Sequence, residues 1–323
     1  MAKAVRYHKQ GGPEVLQLDE VEVGEPGQGQ VRIRHTAIGV NFVDTYQRSG
    51  LYPMQLPQVG GNEGAGVVEA VGAGVTDLKA GDRVAYTGLP GSYCETRLVP
   101  ADRMVKLPPG VSDEQAASMM LKGLTVHYLI FSTYAVQKGD TVLWHAAAGG
   151  VGLIACQWLK ALGVTTIGTA GSEEKMALAK AHGAAHVINY SKDDFVKRVK
   201  EITGNKGVPV VYDGVGKVTW EGTLDCLRPR GLVVSFGNAS GPVPPVNLGV
   251  LSAKGSLYVT RPTLATHIAS RADLVERSNA LFDIVKSGKV KIETTAHYRL
   301  ADAQQAHRDL EGRKTTGSVV LVP

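Results

Sequence analysis

The chain has 323 residues, with 35 Lys and Arg against 30 Asp and Glu, a formal charge of +5. That length exceeds one ordinary core, so two domains are expected. The positive balance is small and no block of basic residues appears, so nucleic-acid binding is not expected. Three scattered cysteines, Cys94, Cys156 and Cys226, exclude a disulfide framework and a cysteine-rich zinc lobe, and they suit a reducing cytoplasm. The N-terminal residues carry no apolar stretch of a secretory signal, and no apolar run reaches the ~18 residues of a membrane span.

The first ~120 residues read as β-rich. Residues 31–37 alternate apolar and polar, residues 64–72 continue that period between glycines, and Gly81 to Tyr86 reads as a turn entering a strand. Short strands punctuated by Gly and Pro suggest a small barrel or folded sheet. Ser112 with Gln115 three residues on predicts a capping box, and a second helical stretch follows around 122–135.

From residue 139 strands and helices alternate. The expected strands are 141–146, 165–170, 186–190, 209–213, 231–236 and 256–260. Helices over 151–162, 173–182 and 193–203 each end at a glycine, Gly163, Gly183 and Gly204. Six strands with intervening helices imply an α/β, parallel, doubly wound sheet. The tail carries helices near 271–287 and 301–311 and an apolar strand from Ser318, and is expected to return to the N-terminal domain.

The chemistry-bearing segment joins the first of these strands to its helix. Ala146, Gly149 and Gly152 stand at dinucleotide-fingerprint spacing, so Ala148, Gly149, Gly150, Val151 and Gly152 are expected to cup a pyrophosphate on the helix N-terminus. The next strand ends in Gly171 and Ser172 with no acid at its tip to take ribose hydroxyls. Lys175 is placed to meet a 2′-phosphate, and Tyr190 to lie on the adenine or donate to that phosphate. The cofactor predicted is NADPH. Glu173 and Glu174 flank Lys175 and would oppose phosphate if they pointed inward.

The run Gly139, Asp140, Leu143, Ala147 to Gly150, Gly152, Gln157 and Lys160 resembles the signature of the quinone oxidoreductase (ζ-crystallin-like) group of the medium-chain dehydrogenase/reductase superfamily. The likeness extends through Ala37–Tyr46, Ser235–Asn238 and Leu257–Pro262, and is nearest to bacterial NADPH:quinone reductases. It implies a GroES-like β-rich catalytic domain over 1–124 and 265–323 and a Rossmann NADPH-binding domain over 125–264. It further implies an active site in the cleft between them and a homodimer through the Rossmann domains.

Zinc-containing relatives have Cys where this chain has Asn41 and His where it has Asn62, so no metal site is expected. The resemblance places Asn41 on the nicotinamide ribose or the substrate carbonyl, where its amide would donate to a developing oxyanion; a turn-forming Asn is the structural alternative. Tyr46 and Tyr52 would stack on a quinone or donate a proton, unless they are ordinary half-buried tyrosines. Lys122 and Thr125 resemble positions touching the nicotinamide ribose and ring, with a solvated lysine and a helix cap as alternatives. Phe236, Gly237 and Asn238 would hold the carboxamide. Arg313 resembles an arginine reaching the 2′-phosphate, or is a plain surface arginine. His127 and His145 are expected to be packing or capping residues.

The activity implied is zinc-independent NADPH reduction of a small-molecule quinone. The alternatives are reduction of activated C=C bonds in enones or alkenals, and a non-enzymatic RNA-binding or structural role.

Overall fold

The computed structural model describes residues 1–323, which divide into two units. One comprises Met1–Leu124, Ile268–Lys286 and Ile292–Pro323; the other comprises Thr125–His267 and Ser287–Lys291.

The chain opens with β1 (Ala2–Tyr7), β2 (Gln17–Val21) and the long β3 (Gln30–Val40). Val31, Ile33, His35 and Ala37 are its buried face, as the alternation predicts. His35 takes an apolar position because both ring nitrogens are bonded, Nδ1 to the Cys94 carbonyl at 2.7 Å and Nε2 to the Tyr86 hydroxyl at 2.8 Å. Burial lowers its pKa to about 3, so the ring is neutral. Then come α1 (Phe42–Ser49), β4 (Gln58–Val59), β5 (Glu63–Val71), β6 (Arg83–Thr87), β7 (Thr96–Pro100) and β8 (Val105–Lys106).

Next is α2 (Asp113–Tyr128), opened by the predicted capping box: Ser112 N donates to Gln115 Oε1 at 3.0 Å and Gln115 N to Ser112 Oγ at 3.1 Å. The expected second helix over 122–135 is not separate. α2 runs unbroken to Tyr128 and continues as a π turn over Leu129–Thr133. Gly123 does not break the helix. A Cβ there would lie 2.5 Å from Leu281 Cδ1, so this glycine serves close packing.

Strands and helices then alternate: β9 (Thr141–Trp144), α3 (Gly150–Ala161), β10 (Thr165–Ala170), α4 (Glu173–Ala181), β11 (His186–Asn189), α5 (Phe195–Ile202), β12 (Val208–Asp213), α6 (Trp220–Asp225), β13 (Leu227–Ser235), α7 (Gly249–Ala253), β14 (Tyr258–Thr260) and α8 (Leu264–His267). The six strands form one all-parallel sheet in the order β11-β10-β9-β12-β13-β14. That is the doubly wound Rossmann order, and its topological switch point lies between β9 and β12. Three strands differ in extent from expectation by two residues or more, among them β14, which begins only at Tyr258. β9 stops at Trp144, because Ala146 turns at φ 55°, and β13 begins at Leu227, four residues early. The core of this unit gathers Leu143, Ile167, Val211 and Val233 from four of these strands against Trp220 and Leu224 of α6.

The remainder is α9 (Arg271–Lys286), β15 (Thr294–Arg299), α10 (Ala303–Glu311) and β16 (Ser318–Val322). β16 pairs antiparallel with β3, Val320 opposite Gly39, so the tail does return to the N-terminal strands. It completes a sheet ordered β15-β16-β3-β5-β6-β8, with β7 on β3 and a separate β2-β1-β4 sheet. β15, which pairs parallel with β16, was not expected from the sequence.

Candidate active site

The glycine loop is built by the ends of β9 and α3. Ala146 holds the left-handed conformation, φ 55°. That explains why glycine commonly occupies this first fingerprint position; alanine accepts it at a cost of ~1–2 kcal/mol. A Cβ on Gly152 would lie 2.6 Å from the carbonyl oxygens of both Ala146 and Ala147, so the turn itself demands glycine there. Gly149 differs. Its φ of −79° and ψ of 167° suit any residue, and an added Cβ would meet only the Ala146 oxygen at 3.3 Å. It is the N-cap of the twelve-residue α3 with no side chain to cover the first N–H groups. That leaves donors and the positive end of a helix dipole for an anion.

Behind the loop, His145 is buried and bonded to Thr169 Oγ1 and Thr223 Oγ1, both at 3.0 Å. Thr223 in turn donates to Asp213 Oδ2 at 3.0 Å, and Asp213 Oδ1 accepts from Val215 N and Gly216 N at 2.8 and 3.0 Å. Burial lowers the His145 pKa, so this histidine ties the carboxyl ends of β9, β10 and β12 together as a neutral ring. His127 packs against Phe131 and Trp158, ring centroids 4.9 and 5.8 Å away. Both have the packing roles expected.

At the end of β10, Ser172 caps α4, its Oγ accepting from Lys175 N at 3.3 Å. Tyr190 lies across Gly171: a Cβ on that glycine would stand 2.6 Å from the phenol oxygen. Gly171, Ser172, Lys175 and Tyr190 therefore share one corner. The charge of Glu173 is engaged there by Lys192 Nζ at 3.0 Å and Asn189 Nδ2 at 3.1 Å, with Lys192 the larger influence holding its carboxyl below the usual range. Beyond β13, Phe236 N donates to the Asp213 carbonyl at 2.9 Å, and a Cβ on Gly237 would collide with the Gly214 oxygen at 2.4 Å. Arg261, at the end of β14, donates to the Gly237 carbonyl at 3.3 Å and Ser235 Oγ at 3.4 Å. Sequence reasoning passed over Arg261, although it sits in the Leu257–Pro262 motif. Asn238 follows Gly237 directly, and Thr125 is buried in α2.

In the other unit, Asn41 is the N-cap of α1, its backbone N donating to Asp44 Oδ2 at 2.8 Å. Its side-chain Nδ2 donates to Glu63 Oε2 at 2.8 Å. Glu63 is wholly buried; Oε1 accepts from Leu121 N at 2.7 Å, and Lys122 Nζ stands 3.7 Å from Oε2. Burial raises the Glu63 pKa, opposed first by the charge of Lys122. Lys122 is only 6% exposed and its Nζ has no hydrogen-bond partner, so it is not a solvated surface lysine.

Asn62 Nδ2 donates to Asp44 Oδ1 and Gln47 Oε1, both at 2.7 Å. Tyr93 donates to Asp44 Oδ2 at 2.8 Å and lies 2.9 Å from His307 Nε2. His307 Nδ1 meets Arg48, which pairs with Glu311 at 2.7 Å. Burial pushes Asp44 up to about 6 and His307 down to about 3. Tyr46 and Tyr52 pack edge to face, centroids 5.3 Å apart, with Phe42 6.3 Å from Tyr46, forming an aromatic wall. Arg313 stands on the exposed turn after α10 with φ 57°. Glu63, Asp44, Asn62 and Tyr93 were missed as a network; only the charge of Glu63 at the head of the apolar strand β5 hinted at it.

No group of three or more His, Cys, Asp or Glu side chains converges as a metal set. The amide nitrogens of Asn41 and Asn62 are donors turned onto carboxylates. They do not present the thiolate, imidazole or carboxylate lone pairs that zinc needs.

Two family models match the chain: the alcohol dehydrogenase GroES-like domain over residues 27–109 and the zinc-binding dehydrogenase over 150–276. The quinone oxidoreductase of Pseudomonas aeruginosa is 55% identical over 325 aligned positions that cover both chains completely. The chain belongs to the quinone oxidoreductase family of medium-chain dehydrogenases/reductases. The crystal structure of the Escherichia coli quinone oxidoreductase complexed with NADPH matches it with a TM-score of 0.98 at 52% identity, all of both chains covered. The 2-haloacrylate reductase of a Burkholderia species is 48% identical over all of this chain and 99% of its own length. As a quinone oxidoreductase family member, this chain carries the zinc-binding model's fold without a donor set that fits zinc.

Proposed function

We propose that the protein reduces quinones with NADPH, by hydride transfer and without zinc. One observation carries the reading: the glycine loop ends at the N-terminus of α3, where Gly149 as N-cap leaves the first N–H groups without a capping side chain and open to a diphosphate. The Escherichia coli relative solved with NADPH supports it.

The residues present fit that cofactor. Ala148, Gly149, Gly150, Val151 and Gly152 would cup the pyrophosphate. Gly171, Ser172, Lys175 and Tyr190 would take the adenosine and its 2′-phosphate, with Arg313 adding charge. Phe236, Gly237 and Asn238 would hold the carboxamide, and Thr125, Lys122 and Asn41 the nicotinamide ribose and ring. Bound, the dihydronicotinamide supplies a hydride, and a quinone is electrophilic enough to accept it without a Lewis acid. The chain's own part is positioning and exclusion of water, with Tyr46 and Tyr52 as the surface for a flat acceptor.

Tyr258 and Val259 of the edge strand β14 are 59% and 41% exposed. An unpaired apolar edge of this kind supports a homodimer joined through the six-stranded sheets. No helix is long and apolar enough to cross a membrane. Three unpaired buried cysteines agree with a cytoplasmic location.

The 48% identity to a 2-haloacrylate reductase favours one second reading, reduction of an activated C=C bond. The test is NADPH oxidation by the purified protein with 1,4-benzoquinone and with 2-chloroacrylate, each with and without a chelator. Quinone turnover with the higher kcat/KM and no chelator effect is expected. Turnover of the acrylate alone, or loss of rate with the chelator, overturns the proposal.

A further inference from the structure

We propose that Glu63 is a positioning residue for the reaction: its buried carboxylate fixes Asn41 with Oδ1 as the ligand-facing atom and holds the Lys122 ammonium beside it. This rests on the NADPH–quinone reading of the same site and adds a residue that contacts neither cofactor nor acceptor.

The fold is arranged to admit this carboxylate. A Cβ on Gly39 would lie 2.4 Å from Glu63 Oε2 and 2.2 Å from the Ala117 carbonyl, so β3 must be bare where Glu63 enters from β5. Three donors converge on the two oxygens: Leu121 N, Asn41 Nδ2 and, farther off, Lys122 Nζ. A carboxylate only accepts, so the Asn41 amide is oriented by chemistry: nitrogen to Glu63, oxygen away. Asn41 is therefore an acceptor toward its ligand, suited to a hydroxyl such as that of a ribose. On this proposal Asn41 serves a hydroxyl through its oxygen rather than an oxyanion through its amide.

The donor role passes to Lys122, whose Nζ is buried, 3.7 Å from Glu63 Oε2 and unmatched by any hydrogen bond. An acceptor and a cationic donor are thus both held by one carboxylate oxygen, Glu63 Oε2. Neither arrangement survives without Glu63, because a neutral residue leaves Lys122 uncompensated and Asn41 able to turn over.

The experiment compares wild type, Glu63→Gln, Asn41→Asp and the double swap Asn41→Asp/Glu63→Gln in NADPH titrations and in steady-state quinone reduction. Glu63→Gln and Asn41→Asp are each expected to lose roughly 10- to 100-fold in kcat/KM. The swap reverses the hydrogen bond, the amide now at position 63 donating to the carboxylate now at position 41. It keeps an acceptor facing the ligand and is expected to recover most of that loss. Single variants that match wild type, or a swap as poor as the product of the singles, overturn the positioning role. Wild type that does not oxidise NADPH with quinone overturns the functional reading instead. Should a variant not fold, neutron diffraction of the wild-type protein decides. Deuterium on Asn41 Nδ2 aimed at Glu63 supports the proposal, and the flipped amide refutes it.

Discussion

Two alanine substitutions three residues apart should separate what the loop owes to folding from what it owes to a ligand. Gly152→Ala puts a methyl 2.6–2.7 Å from three backbone atoms, the oxygens of Ala146 and Ala147 and the Ala147 carbonyl carbon. Backbone cannot swing aside as a side chain can, so the loop must shift, at ~1–3 kcal/mol. Gly149→Ala puts its methyl 3.3 Å from one oxygen, in a conformation alanine accepts. Its cost is that of a poor N-cap, ~1 kcal/mol or less. Yet that methyl stands where phosphate oxygens must approach the first N–H groups of α3. Losing one charge-assisted contact of ~1.5–3 kcal/mol weakens NADPH binding roughly 10- to 100-fold. Calorimetric melting of the protein without cofactor and NADPH titration give the two readouts. Gly152→Ala should fail in both, Gly149→Ala mainly in the titration. Wild-type NADPH affinity in Gly149→Ala would refute the assignment of this loop to the phosphates.

Lys175→Ala should weaken NADPH roughly 10- to 100-fold while leaving NADH affinity within about twofold; equal losses for both cofactors would remove Lys175 from the phosphate corner. Stability should fall in acid. His35 and His307 titrate near 3 when folded against 6.5 when exposed, and His145 shifts the same way, so unfolding takes up protons as pH drops below about 6.5. Asp44, raised to about 6, and Glu63, also raised, take up protons at higher pH than their exposed counterparts and oppose this. The histidines outweigh the acids, so stability falls as pH drops from 6 to 4. Denaturant titrations of wild type and His307→Gln across that range should show the slope flattened by the substitution; an unchanged slope would mean His307 is not buried neutral. Val259→Lys on the exposed edge of β14 should halve the mass seen by light scattering without changing melting by more than a few degrees, and an unchanged mass would place any dimer contact elsewhere.

The dinucleotide-binding unit was largely readable because its signals are local. Strand period, capping box and closing glycines each act over a few residues, and the loop's need for Gly152 comes from carbonyls five and six positions earlier. Helix continuity through Gly123 was not readable, since that glycine answers to Leu281, far along the chain. The orientation of Glu173 was equally hidden, because Lys192 and Asn189 that engage it arrive on the next βα unit.

By itself, then, the sequence determined the order of strands and helices, the phosphate-cupping turn and the replacement of would-be metal ligands by amides. Tertiary structure alone decided which atoms those amides expose. Asn41 meets Glu63 across 22 positions, Glu63 meets Leu121 across 58, and Tyr93 meets His307 across 214. Such bonds are strong because burial has stripped the water from them, and desolvation is a property of the packed interior that no run of neighbouring residues encodes.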